Sequence, residues 1–148
     1  MRVEIENGKL VAAINFMYDL KLTRKHSRFR RHFIEKMSER LKRVEEDRKT
    51  LAKEHSHKDE KGEAIVKDGQ FDIKDMVAFS SDMKELNTEK LVIEGGDNRE
   101  MIRTIKHVLK KFENVEYEAQ ASEVYDYLCE QFGVDEEEEQ ENEKGAKE

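Results

Sequence analysis

Ile65-Val66-Lys67-Asp68-Gly69-Gln70-Phe71-Asp72-Ile73 is the stretch on which the reading of this chain turns. Two short runs of alternating apolar residues flank Asp-Gly, the dipeptide that accepts positive φ in a tight primed turn, so a β-hairpin is expected here. Upstream, Phe33, Met37, Leu41, Val44, Arg48 and Leu51 recur at steps of three and four, the stripe of a long helix that packs on a partner. Downstream, Met76, Phe79, Met83 and Leu86 repeat the spacing. The pattern predicts a long helix, a hairpin at the tip and a helix running back, an antiparallel arm over about residues 24–89.

On the N-terminal side, Met1 to Glu6 alternates Val3 and Ile5 with charges and reads as a short edge strand, turned by Asn7-Gly8. Leu10, Ala13, Ile14, Met17 and Leu20 mark a first amphipathic helix, and Thr23 is placed to cap the next one. The long helix is expected from about Ser27 to about His55, ending before Lys58-Asp59-Glu60-Lys61-Gly62, with Asp72 or Asp75 starting the return. Beyond the arm, Lys90 to Glu94 is a compact strand candidate closed by Gly95-Gly96. Asp97 is the expected N-cap of a helix to about Phe112, with Glu100 placed as in a capping box. Val115 to Ala119 fits a strand or a loop. Ala121 to Phe132 forms the last helix, terminated by Gly133. Residues 134–148 are an acidic tail, in which Asp135 to Glu148 holds eight acids, two lysines and no anchor. Disorder is expected there, with the tail screening the basic segment described below.

The 148 residues are 36% hydrophobic and 43% charged, a balance that favours elongated helices with narrow apolar seams over a thick interior. Proline is absent, so nothing interrupts a long helix. No run of about 18 apolar residues and no signal-peptide core is present, and the single Cys129 cannot pair within the chain; a cytoplasmic site and no membrane association are expected. The net charge of −7 is unevenly spread: residues 1–60 carry 16 Lys+Arg against 11 Asp+Glu, and the remainder 12 against 24.

The most basic window holds Lys21, Arg24, Lys25, Arg28, Arg30 and Arg31 with no acid between them, and Phe29 lies inside it. That is a footprint for phosphate contact, but a basic helix start that meets acids of the second half is the plainer explanation, since the chain as a whole is acidic and no helix-turn-helix or ribonucleoprotein motif accompanies the window. His55-Ser56-His57 is no metal site on an intact helix, because residues two apart face different ways. Gly95-Gly96-Asp97-Asn98 lacks both a dinucleotide fingerprint and a phosphate-loop lysine. Cys129 lacks any nucleophile motif. No catalytic, cofactor-binding or metal-binding residue is assigned, and no cofactor is expected.

The opening strand with Asn7-Gly8-Lys9-Leu10, the Ser27-Arg28-Phe29-Arg30-Arg31 entry, the Asp68-Gly69 hairpin and the Lys84-Glu85-Leu86-Asn87-Thr88-Glu89 close resemble a family of small proteins of tailed phages and prophages of Gram-positive bacteria. The resemblance covers roughly residues 1–93. It implies a phage or prophage origin and synthesis in the host cytoplasm, and it supplies no catalytic residue.

These readings predict a mostly helical α+β fold: a single domain over 1–133, with the helical arm and a small C-terminal αβ portion over about 90–133. The expected function is a non-enzymatic interaction or assembly accessory. Its seam is Phe33, Met37, Leu41, Val44, Leu51, Met76, Phe79, Met83 and Leu86, and its partner is another protein or a second copy. The alternative is a small nucleic-acid-associated protein using Lys21 to Arg31.

Overall fold

The computed structural model describes residues 1–135; the expected tail lies outside the described residues from Glu136 onward. In chain order the elements begin with β1 (Arg2–Glu6), a 3-10 turn at Asn7–Lys9, α1 (Leu10–Asp19) and α2 (Arg24–Glu54). The tip strands β2 (Val66–Lys67) and β3 (Gln70–Phe71) lead to α3 (Met76–Thr88) and β4 (Lys90–Glu94). A second 3-10 turn at Gly96–Asn98 precedes α4 (Arg99–Lys111) and α5 (Ala119–Phe132). The fold is a mostly helical α+β arrangement, as the pattern predicts.

The decisive turn forms as expected. Asp68 and Gly69 adopt φ 53° and 77°, the two positive angles a primed two-residue turn requires, and Val66 pairs with Phe71, Lys67 with Gln70. The tip is larger than the hairpin alone. Ser56 bridges to Ile73 and Lys58 to Ala64. Asp59 Oδ1 also accepts from the amides of Lys61 and Glu63 at 2.9 and 3.0 Å, so Asp59 to Gly62 is a built turn. Asp75 starts α3, its Oδ1 accepting from the amide of Ala78 at 3.0 Å.

Other ends differ from expectation. Thr23 holds the position before α2, but its hydroxyl makes no capping bond; Arg24 follows at φ 51°, a left-handed turn that departs from ordinary capping geometry. Asp97 does not cap α4. A 3-10 turn consumes Gly96–Asn98, and Asn98 Nδ2 instead donates to the Glu94 carbonyl at 2.8 Å. Residues 115–118 are a loop, and α5 starts at Ala119. Gly133 ends α5 at φ 61°. The amide of Val134 returns to the Cys129 carbonyl at 3.0 Å and that of Gly133 to Glu130 at 3.1 Å, a closed left-handed terminus. Val134 is buried, so the packed body reaches one residue past the expected boundary at 133.

One core gathers both halves of the chain. β1 and β4 pair antiparallel with Val3 opposite Ile93 and Ile5 opposite Leu91, and Val3, Ile5 and Ile93 turn inward. Leu10, Ala13 and Met17 of α1, Ile105, Val108 and Leu109 of α4, and Leu128 of α5 complete it, each fully buried. The first part of the arm is inside this core. Phe33, Met37 and Val44 are 0–1% exposed, and Phe33 meets Phe132 edge to face at 5.4 Å. At 31 residues α2 is about 46 Å long, yet it buries no side chain fully beyond Val44. The stripe predicted for a partner is therefore spent, over its first half, on the chain's own helices.

What ties the return helix to this body is polar. Asn7 is 1% exposed. Its Nδ2 donates to the Leu86 carbonyl at 2.8 Å, its Oδ1 accepts from Arg40 Nε at 2.9 Å, and its amide donates to the Glu89 carbonyl at 2.8 Å. Two turns further along α2, Arg48 Nη2 donates to Asn87 Oδ1 at 2.9 Å. Elsewhere Tyr117 Oη is buried with no hydrogen-bond partner among the described residues. Leaving a buried partner unmatched costs more than an average hydrogen bond contributes. Asn7→Ala is thus expected to lower urea-unfolding stability by about 2–3 kcal/mol, and Tyr117→Phe to lower it not at all.

Candidate interaction surfaces

The arm residues separate into two groups. Phe33, Met37, Val44 and Leu86 are buried in the body, and Leu41 and Leu51 are half-buried against it. Those six are not a free seam: α1, α4 and the turn at Asn7–Lys9 pack against α2, and α2 and that turn pack against α3. Met76 is exposed, and Phe79 and Met83 are half-buried. Met76, Phe79 and Met83 lie at steps of three and four along α3, and Phe79 and Met83 line a shallow depression of about 520 Å³ with Gly8, Lys9 and Asn87. A side chain at Gly8 would come within 3.4 Å of Asn87 Cβ and its carbonyl, so that turn approaches α3 closely. Val66 and Val77 add exposed apolar surface at 53% and 82%. At the base of the tip His55 Nε2 meets Asp82 Oδ2 at 2.5 Å and its ring stands 5.9 Å from Phe79. His55 therefore latches α2 to α3. Among the described residues no cluster of three or more His, Cys, Asp or Glu is arranged to hold a metal ion.

The basic window is not uniform either. Arg30 Nη1 donates to the carbonyls of Leu20, Tyr18 and Met17, the last two at 3.4 and 3.5 Å. A guanidinium there satisfies the open carbonyls at the C-terminal end of α1 and its negative dipole end. Arg30 is thereby a structural cap. Arg31 lies 3.9 Å from Glu35. Lys21, Arg24, Lys25 and Arg28 remain exposed, with Lys25 Nζ paired to Glu100 at 2.8 Å and both Lys25 and Arg28 beside the Phe29 ring at 5.9 and 5.4 Å.

Lys25 faces basic residues of α4 that the helix periodicity alone does not single out. Arg99, Arg103, His107 and Lys111 follow one another every four residues along α4 and are all exposed. The signal was present: a four-residue stride puts side chains on one helix face. The apolar set Met101, Ile102, Ile105, Val108 and Leu109 is the stronger pattern on the same helix. Between α4 and the start of α2 lies a groove of about 480 Å³ lined by Lys25, His26, Arg99, Arg103 and His107, with Glu100 its one acid. The His26 and His107 rings meet edge to face at 5.6 Å. Burial, then the neighbouring His107, Lys111 and Lys25, hold His26 below the usual histidine range, because each disfavours the charged ring.

Cys129 is a half-buried free cysteine. Burial pushes its thiol up, against a smaller opposing effect from the Tyr125 hydroxyl, which itself donates to the Leu109 carbonyl at 2.6 Å. Such burial disfavours the thiolate. No helix among the described residues is long and apolar enough to cross a membrane. No family model, no curated protein and no solved structure matches this chain.

The division within the basic window has a direct consequence. Arg30→Ala is expected to cost about 1–2 kcal/mol in thermal or urea unfolding, since three carbonyls lose a charged donor. Arg28→Ala is expected to stay within about 0.5 kcal/mol, as exposed substitutions do. Equal costs for the two would refute the capping role.

Proposed function

We propose that the protein is a non-enzymatic interaction protein, a phage or prophage assembly accessory that docks a protein partner or a second copy of itself through the outer face of α3 and the tip. The observation that carries this reading is the unequal fate of the arm's apolar stripe. Phe33, Met37, Val44 and Leu86 serve the core, while Met76, Val77 and Val66 stay exposed on the part of the arm that adds nothing to it. Single exposed apolar residues need no explanation, but several gathered on one projecting element mark a contact surface. The helix-in-groove mode of recognition uses the spacing that Met76, Phe79 and Met83 present. The phage or prophage setting rests on the sequence resemblance alone.

Met76→Asp and Val77→Asp test this reading without touching the core. Both variants are expected to unfold within about 0.5 kcal/mol of the parent. In light scattering they are expected to abolish self-association, or, where the parent is monomeric, to abolish crosslinking to a defined partner in cells producing the protein. A monomer whose crosslinks survive both substitutions would contradict it.

A further inference from the structure

We propose that the groove between the start of α2 and α4 binds the phosphate backbone of a nucleic acid, through Lys25, Arg99, Arg103 and Lys111. Four observations converge. Lys25, Arg99 and Arg103 come from two elements distant in sequence and line one depression, in which Glu100 is the one acid, and Lys111 continues the exposed stride of α4 beyond it. Glu100 is held below the usual carboxylate range by its bond to Lys25, then by Arg28 and Arg103, so it stays ionised as one negative charge paired with Lys25, against Arg99 and Arg103 in the same lining. The ladder from Arg99 to Lys111 advances one basic side chain about every 6 Å and spans about 18 Å. That length exceeds a single phosphate compound and suits a chain of them. Phe29, half-buried beside Lys25 and Arg28, adds a ring near the cationic edge, the pairing that backbone-tracking grooves combine with base stacking. The strongly acidic segment, with seven of the 35 acids and two of the 28 bases, falls in residues 136–148. The rest of the chain is close to neutral overall, so its acidity does not repel a polyanion.

His26, with the His107 ring edge to face beside it at 5.6 Å, makes the site sensitive to protons. The groups facing it are Lys111, Arg99, Arg103 and Glu100 from α4 and Lys25 from its own helix. In the free protein the net positive surroundings and burial keep His26 neutral below the ordinary value of 6.5. An arriving phosphate reverses the sign of that field and favours the imidazolium. Binding therefore takes up protons, and it tightens as pH falls toward and below the ordinary histidine value.

The test is fluorescence anisotropy of the full chain with labelled single-stranded and duplex oligonucleotides, with pyrophosphate and poly-glutamate as competitors. Four contacts imply a log–log salt slope near −2.8 for single strands and −3.6 for duplex, roughly 50- to 150-fold weaker binding at 200 mM than at 50 mM salt. Arg99→Glu with Arg103→Glu is expected to lose tenfold or more at low salt. Lys53→Glu with Lys61→Glu, the same charge change on the arm, is expected to retain binding within about threefold, and circular dichroism checks that both pairs fold. His26→Gln with His107→Gln is expected to keep binding at pH 8 and lose the gain at pH 6. Absence of binding at about 50 mM salt overturns the proposal. So does equal loss in the two charge-reversed pairs, or displacement by poly-glutamate or pyrophosphate as effective as by nucleic acid. A pH-independent affinity overturns the site as drawn.

Discussion

The buried amide of Asn7 is the constraint on which the arrangement depends. It is an almost fully covered polar side chain, and burying one is favourable only when its donors and acceptors are met. Its partners come from α2 through Arg40 and from the end of α3 through the Leu86 carbonyl, 79 residues away. The same residue closes the β1–β4 ladder through the Glu89 carbonyl. The N-terminal strand thus cannot be satisfied until the chain has gone out along α2, turned at the tip and come back. Everything between Val44 and Leu86 is an excursion from a body that closes at its base.

Much of this architecture was legible in the residues. Asp68-Gly69 needs positive φ at two positions, Gly133 ends a helix in the left-handed region and Asp75 can reach an open amide; each is a local requirement visible in a few neighbours. The β1 and β4 strands were legible too, since Val3 and Ile5 alternate with charges and Leu91-Val92-Ile93 is a compact apolar run closed by Gly95-Gly96. Their pairing was not, because nothing in a five-residue strand names its partner. The same limit explains the misassigned seam. Spacing shows that Phe33, Met37 and Val44 bury a face, but not that α1 and the far later α4 pack on that helix, with Phe132 of α5 against Phe33.

Polar roles were less legible than apolar ones. Asn7-Gly8 reads as a turn, and a turn forms, yet nothing local announces that Asn7 is buried. Arg30 is indistinguishable from its basic neighbours until the end of α1 is placed beside it. The cations of α4 are the reverse case: their four-residue stride is plain in the sequence but means little until the start of α2 lies opposite. Electrostatic surfaces are assembled by tertiary structure, whereas amphipathic periods are written along one element. The result is a body carrying a basic groove and an arm carrying exposed apolar residues, two surfaces with different chemistry on one short chain.

The central claim is that the body and the distal arm are energetically distinct, the first closed on its own core and the second held mainly by its own turns and the latch of His55 on Asp82. Native-state hydrogen exchange measures this directly, because local opening exposes elements with few buried apolar contacts before the whole molecule unfolds. Amides of α1, α4 and the part of α2 up to Val44 are expected to exchange only through global unfolding. Those from Leu51 through Phe79 are expected to exchange through a cheaper local opening that leaves the body protected. Uniform protection along the whole of α2 and α3 would contradict the account.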